Sequence, residues 1–406
     1  MKYCEDLFKY KRFSTREVSI GDTPLGHTHP IRLQSMTTTP TLNTAATVAE
    51  SIRMIEAGCE YVRITAPSMK EAKNLSSIKK SLRKKGYTTP LIADIHYKPR
   101  AAEIAARMVE KVRINPGNYI DKKKFQLKTY TDADYVAEID RIRKKFTPLI
   151  HICKEYGTAL RIGTNHGSLS DRIMSRYGDT PIGMVESALE FVRICEEENF
   201  YDIVLSMKAS NPKVMVYAYR MLVAKMMETD RNYPIHLGVT EAGEADDGRI
   251  KSAIGIGALL EDGIGDTVRV SLTEPPENEM PAAKKLVKRY NNRSQHRAIP
   301  SITHSLYNPF EYRKRKTTTV EHIGGDNPPV VIVDFSKMKS NAETVLQDAG
   351  ALNKMFDADA LPDFILFDEI ISDYEFPNGV APILPVDKWK KQHNTNNTFP
   401  LFTMEQ

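Results

Sequence analysis

Four short stretches of the chain repeat one pattern, an arginine set between β-branched or leucine residues: Val62-Arg63-Ile64, Val112-Arg113-Ile114, Leu160-Arg161-Ile162 and Val268-Arg269-Val270. Such flanks read as short buried strands. A guanidinium inside an apolar strand is costly unless an anion or a hydrogen-bond partner meets it. One such arginine commonly makes a structural ion pair, whereas four in one pattern point to a cationic cavity. The stretch Val112–Asn118 shows the arrangement in full, because Asn115, Pro116, Gly117 and Asn118 stop the strand with turn chemistry. Alternation along a strand turns Arg63, Arg113, Arg161 and Arg269 inward if the strands close a barrel, and Lys208 adds another cation. Mutual repulsion and desolvation would destabilise that cluster unless a phosphate or diphosphate is its ligand. The competing reading pairs each arginine with a carboxylate on a neighbouring strand, as Asp94 or Glu241 would allow. The cations outnumber the inward acids, which favours the phosphate.

Further polar residues surround this set. Asn115 and Asn165 suit hydroxyls or phosphate oxygens, and Gly163–Ser170 (G-T-N-H-G-S-L-S) offers small, donor-rich backbone to an anion. Glu241, in V-T-E-A-G, is an acid, base or hydrogen-bond orienter beside the cations. His96 and His236 read either as structural or as ligands, and Lys208 has the position of a Schiff-base lysine. The runs Lys79–Lys85 and Lys122–Lys124 read as solvated faces.

The elements that must position these residues alternate regularly. Strands are expected at Arg32–Thr37, Tyr61–Thr65, Pro90–His96, Val112–Asn115, Ala159–Asn165, Asp202–Ser210, Ile235–Glu241 and Thr267–Thr273. Helices are expected between them, at Asn43–Ala57, Pro67–Lys85, Pro99–Val109, within Tyr119–Tyr156, and at Gly183–Glu198, Lys213–Thr229 and Ile250–Asp262. Eight such units over about 250 residues make a closed (β/α)8 TIM barrel of the α/β class, with an open doubly wound sheet as the alternative. Asp94, His96, Asn115, Asn165, Lys208, Glu241 and Ser271 fall late in a strand or just after it, where a barrel builds its active site.

Beyond Pro275 the texture changes. A basic helix or tail over Lys284–Arg297 precedes a polar, turn-rich stretch. Strands at Pro329–Asp334 and Phe364–Asp368 then flank a helix near Ala342–Met355. The reading divides the chain into a barrel over 1–290, a linker over 291–325 and the start of a second α/β domain over 326–406 that cannot close a core alone and lacks a final element. On this reading the chain is part of a longer protein.

Composition sets broad limits. The 406 residues are 41% hydrophobic and 27% charged with a net charge of +5, which is mildly basic and without the concentrated basic stripe of a nucleic-acid binder. Met1–Arg16 is charged throughout, unlike a secretory leader, and no apolar run has the length of a membrane span. Cys4, Cys59, Cys153 and Cys195 are widely spaced, neither a disulfide framework nor a metal-binding spacing. A soluble cytoplasmic protein with reduced thiols is expected, with neither nucleic acid nor membrane as partner.

Nine motifs in order extend the reading: Q-S-M-T-T-T (34–39), V-R-I-T (62–65), A-D-I-H (93–96), V-R-I-N-P-G-N (112–118), R-I-G-T-N-H-G-S-L-S (161–170), S-M-K-A-S-N (206–211), H-L-G-V-T-E-A-G (236–243), K-S-A-I-G-I-G (251–257) and G-D-T-V-R-V-S-L-T (265–273). From about residue 12 to 276 the chain resembles the 4-hydroxy-3-methylbut-2-en-1-yl diphosphate synthases, the IspG or GcpE family of the non-mevalonate isoprenoid pathway. The later residues resemble the start of the extra middle domain of the longer plant, chlamydial and Bacteroidetes-type members.

The resemblance implies reductive ring opening and dehydration of 2-C-methyl-D-erythritol 2,4-cyclodiphosphate. It implies that Arg63, Arg113, Arg161, Lys208, Arg269 and Ser271 hold the diphosphate, that Asp94, Asn115 and Asn165 line the pocket, and that Glu241 assists protonation and departure of the hydroxyl. It further implies a 4Fe-4S cluster on three cysteines and a glutamate of a C-terminal domain, ferredoxin or flavodoxin as electron donor, and admits a homodimer. The C-x-x-C of that domain is absent from these residues, so the cluster ligands are expected beyond residue 406 and no metal ligand within the chain. The expectation is a substrate-binding barrel that binds the cyclodiphosphate without reducing it. The alternatives are a redox-inactive diphosphate-binding barrel and a pterin-synthase-like or aldolase-like enzyme on the same fold.

Overall fold

The structure is a computed structural model; it describes residues 2–121, 130–302 except 292, 294 and 295, 307–336, 361–369, 376–391 and 398–402. The chain forms two compact units, Met1–Arg313 and Lys314–Gln406.

The first unit is an eight-stranded parallel barrel. Its strands are β1 (Arg32–Met36), β2 (Tyr61–Thr65), β3 (Leu91–Asp94), β4 (Lys111–Ile114), β5 (Ala159–Asn165), β6 (Ile203–Lys208), β7 (His236–Leu237) and β8 (Thr267–Val268). They hydrogen-bond in the order β6-β5-β4-β3-β2-β1-β8-β7, and a parallel bridge between Leu205 and Ile235 joins the two ends. The helices are α1 (Thr44–Glu56), α2 (Met69–Lys84), α3 (Pro99–Ala106), α4 (Pro116–Tyr119), α5 (Asp132–Tyr156), α6 (Asp171–Tyr177), α7 (Pro181–Glu197), α8 (Pro212–Glu228), α9 (Ala245–Glu261) and α10 (Glu279–Lys288). Side-chain caps start the helices that follow the site loops: Ser170 accepts from Ile173 N, Thr180 from Gly183 N and Asn211 from Lys213 N. No helix among the described residues is long and apolar enough to cross a membrane.

The bottom of the barrel is apolar. Val18, Ile20 and Leu25 come from an N-terminal segment closed by a bridge between Val18 and Leu25. They pack under the inward side chains of Tyr61, Ile92, Ala159 and Val204. The polar interior begins above this floor.

The structure differs from the expected elements in several places. The seventh and eighth strands are two residues each rather than seven, because the chain after them turns to other partners; Leu272 N, for example, donates to Glu279 Oε1 at 3.2 Å. Helix α9 starts five residues before Ile250, with Asp246 and Asp247 complementing the positive end of its first turn. Part of the expected linker packs on the first unit, where Ile299 N donates to Phe8 O at 2.7 Å and the Phe310 ring lies edge-on to Tyr3.

The second unit carries a four-stranded parallel sheet of β9 (Ile332–Asp334), β10 (Phe364–Leu366), β11 (Ala381–Pro385) and β12 (Phe399–Leu401), with the short helix α11 (Val386–Trp389). Phe335, Ile365, Phe367, Val380 and Leu384 form its own buried cluster. The expectation of a unit with neither core nor final element is therefore corrected. Pro382, Pro385 and Pro400 sit within its last two strands and obscure them in the sequence. The helix expected near Ala342–Met355 lies outside the described residues.

Candidate active site

The strand register carries the five expected cations into one interior. Arg113 stands opposite Asp94 across β3–β4 and opposite Arg161 across β4–β5. Lys208 stands opposite Asn165 across β5–β6. All five cations are buried, between 1% and 7% exposed.

Three of them find carboxylates. Arg113 Nη1 donates to Asp94 Oδ1 at 2.9 Å, while its Nη2 donates to Gly163 O at 3.0 Å and Asn165 Oδ1 at 3.3 Å. Arg63 Nε lies 3.5 Å from Asp94 Oδ2 and donates to Met36 Sδ at 3.0 Å. Arg269 grips Glu279 in a fork, Nη2 to Oε1 at 3.0 Å and Nε to Oε2 at 3.2 Å. Burial opposes the ionisation of Asp94, yet Arg113, then Arg63, outweigh it and hold the carboxyl well below the usual carboxylate range.

The other two find none. Neither Arg161 nor Lys208 has an ion pair among the described residues, and the Nε and Nη1 of Arg161 lack any hydrogen-bond partner. Burial, then Arg63 and Arg113, push the Arg161 guanidinium well below its ordinary value. Burial, then Arg63, Arg161, Arg269 and Arg113, do the same to the Lys208 ammonium. Arg63 falls to about 10 from burial, with Asp94 opposing the fall.

The remaining candidates sit around this centre. Asn115 Nδ2 donates to Ser168 Oγ at 2.9 Å, and its buried Oδ1 has no partner. His96 Nε2 stands 3.6 Å from Asp94 Oδ2. Ser271 is half-buried and makes no hydrogen bond among the described residues. Glu241 is exposed, takes a left-handed φ of 51° and pairs with none of the arginines. The second carboxylate among the arginines, beside Asp94, is Glu279 and not the Glu241 of the competing reading; it lies at the start of α10 and is 1% exposed. The amide of Gly167 in the 163–170 segment already donates to Asp179 Oδ1 at 3.3 Å, so that amide is not free for an anion. Gly163 is there for space: a Cβ on it would stand 2.8 Å from Arg113 Nε and 3.0 Å from Ser206 Oγ.

The residues present do not fit an iron–sulfur cluster. No group of three or more histidine, cysteine or acidic side chains that could hold a metal occurs among the described residues. All four cysteines are buried free thiols. Burial pushes Cys4 up to about 11 and Cys59 and Cys153 up to about 12, away from the thiolate that iron requires.

Residues 15–284 match the family described as GcpE TIM-barrel domain. The chain is 52% identical over 396 residues to the 4-hydroxy-3-methylbut-2-en-1-yl diphosphate synthase (flavodoxin) of Parabacteroides distasonis, covering 97% of this chain and 62% of that one. It is 51% identical over 402 residues to the synthase of the same name from Bacteroides fragilis, covering 99% and 61%. In Leptospira interrogans the identity is 51% over 350 residues, covering 85% and 53%. The chain thus spans about three fifths of the length of the first two of these relatives. An eight-stranded parallel barrel lined with cations, matched to the family over residues 15–284, makes the chain a member of the GcpE family.

Proposed function

We propose that this chain supplies the substrate-holding barrel of a 4-hydroxy-3-methylbut-2-en-1-yl diphosphate synthase, and that its ligand is 2-C-methyl-D-erythritol 2,4-cyclodiphosphate. The observation that carries the reading is the unpaired couple Arg161 and Lys208 within a set of five buried cations served by two carboxylates. A cyclic diphosphate supplies the missing negative charge, and guanidinium forks match its oxygens. Arg161 and Lys208 take the diphosphate directly. Arg63, Arg113 and Arg269, already oriented by Asp94 and Glu279, complete the cradle. Asn115, through its unpartnered Oδ1, accepts from a ligand hydroxyl, and Asn165 and Ser271 donate at the rim. Glu241, in the loop after β7, is the proton donor for the departing hydroxyl.

A 4Fe-4S cluster supplies electrons for reductive ring opening in this family, and the residues described here do not hold one. Within this reading the chain binds the cyclodiphosphate and does not reduce it, and flavodoxin, which the relatives' names specify, is the donor to the whole protein.

Titration calorimetry with the cyclodiphosphate tests the assignment. Arg161→Met and Lys208→Met are each expected to weaken binding by about a hundredfold, the loss of a charge-assisted contact in a buried site. Unchanged affinity in both variants would overturn it. So would turnover by this chain with a low-potential donor and no added cluster domain. Lys208 also has the buried, unpaired amine that imine chemistry uses. Borohydride trapping of a carbonyl substrate on Lys208 would replace the proposed reading with an aldolase-like one.

A further inference from the structure

Below the cationic mouth and above the apolar floor lies a second polar layer that shares only Arg161 with the diphosphate cradle. Gln34 on β1, Lys111 on β4, Arg161 on β5, His236 on β7 and Thr267 on β8 are all between 0% and 1% exposed. Their orphaned atoms are both amide atoms of Gln34, Lys111 Nζ, Arg161 Nε and Nη1, both ring nitrogens of His236 and Thr267 Oγ1. Alternation turns them inward together: Lys111 precedes Arg113 by two, and His236 and Thr267 are register partners. Gln34 is the register partner of Tyr61, whose ring lies 4.7 Å beneath Lys111 Nζ. Tyr61 Oη in turn donates to Thr23 O in the segment that plugs the floor.

Buried polar groups in folded proteins are almost always satisfied, so this concentration of orphans marks an occupant. Its chemistry follows from the donor balance. Lys111, Arg161, the Gln34 amide, the Thr267 hydroxyl and one imidazole N–H all donate, while only Gln34 Oε1, Thr267 Oγ1 and the other imidazole nitrogen accept. A water accepts two bonds and must donate two, and it neutralises neither cation. Asp94, the carboxylate that acts on Arg161, is already committed to Arg63 and Arg113. The orphaned atoms are closed off from solvent, which suits a small monatomic occupant better than a polyatomic oxyanion.

We propose that the barrel interior holds a small halide-class anion, chloride in the cell, bound by Lys111, Arg161 and Gln34 with His236 and Thr267 beside it. Burial and the charges of Arg161, Lys208, Arg63 and Lys111 keep His236 neutral, so it contributes one N–H and no charge. The anion lies beneath the mouth and holds Arg161 from below while its remaining edge faces the ligand.

The test uses the chain without cyclodiphosphate, so its failure is separable from failure of the functional reading. Crystals grown in bromide are expected to show one anomalous scatterer inside the barrel in contact with Lys111 Nζ and Arg161. Thermal unfolding midpoints are expected to rise with the logarithm of chloride or bromide concentration and not with gluconate at equal ionic strength. Lys111→Met is expected to abolish both signals. No interior scatterer, one touching only Lys208, or equal shifts from halide and gluconate would overturn the proposal. If Lys111→Met does not fold, Thr267→Val must raise the halide concentration for the half-maximal shift several-fold; an unchanged midpoint also overturns it.

Discussion

Arg161 and Arg172 are the same residue type at the same 1% exposure in the same unit, and their surroundings are opposite. Arg172, on α6, donates to Glu190 Oε1 at 3.0 Å, to Glu190 Oε2, and to Asp121 Oδ2 at 2.7 Å, and its guanidinium lies 4.2 Å from the centre of the Tyr135 ring. Burial opposes its charge, but Glu190 and Asp121 outweigh burial and hold its pKa above the ordinary value. Arg161, on β5, faces Arg63 and Arg113 and is pushed the other way. One arginine has its charge met by two carboxylates within the protein, with only its Nε unpartnered, and ties α6 to α7. The other is left incomplete, at a cost to the fold that a ligand would relieve. Burial alone does not distinguish a structural charge from a binding one; the sign of the surrounding charge does.

The largest expected effect follows from removing each in turn. Arg172→Met leaves Asp121 and Glu190 buried without a countercharge and is expected to cost about 3–5 kcal/mol of stability. Arg161→Met removes a charge the apo barrel does not neutralise with a carboxylate, and is expected to change stability by less than about 1 kcal/mol or to raise it. Denaturant midpoints at constant m-value measure both. Equal destabilisation by the two substitutions would break the contrast.

The second test is pH. Lys208 and Lys111 have folded-state pKa values well below that of the unfolded lysine, whose ordinary value is 10.5. Between the two values the unfolded chain binds more protons than the folded one, so stability rises with pH across that window. Below the folded values both states are protonated and the slope vanishes. A bound diphosphate favours the charged ammonium of Lys208, raises its folded pKa and flattens its part of the slope. Unfolding followed from neutral pH to about 10 is expected to show rising apo stability and a shallower rise with ligand. Asp94 acts at the other end: its folded pKa is depressed, so the stability it contributes is present at neutral pH and lost as pH falls through the acid range. Asp94→Asn is expected to lose that acid-side dependence and to lower stability at neutral pH.

These contrasts also show what the sequence could carry. The five cations were legible because strand alternation is strict: once Arg63, Arg113 and Arg161 are placed on parallel strands, the register brings them together. The same rule applied two residues earlier along β4 points Lys111 inward, a signal equally present in the sequence. Glu279 was not legible, because its partnership with Arg269 depends on where a helix after the last strand folds back. Glu241 follows β7 in an exposed left-handed turn, so its placement depends on loop geometry that strand alternation does not carry. The barrel followed from periodicity; the second unit's last strands did not, since three prolines and flanking asparagines imitate a loop.

The smallest expected effects separate space from backbone geometry within one segment. Gly163 has ordinary φ and no room, because an added Cβ meets Arg113 Nε at 2.8 Å and Ser206 Oγ at 3.0 Å. Gly167 has room, with nothing within 4 Å, and a φ of +81° that L residues rarely adopt. Gly163→Ala is expected to cost about 1–3 kcal/mol of stability by overpacking. Because Arg113 must move from Gly163 O and Asp94, it should also weaken cyclodiphosphate binding by roughly tenfold. Gly167→Ala is expected to cost about 1–2 kcal/mol through the left-handed backbone alone, with affinity unchanged. Paired calorimetry and denaturation measure the split. An affinity loss in Gly167→Ala equal to that in Gly163→Ala would mean that the 163–170 backbone itself contacts the ligand, and that the guanidinium seat above Gly163 is not what the glycine protects.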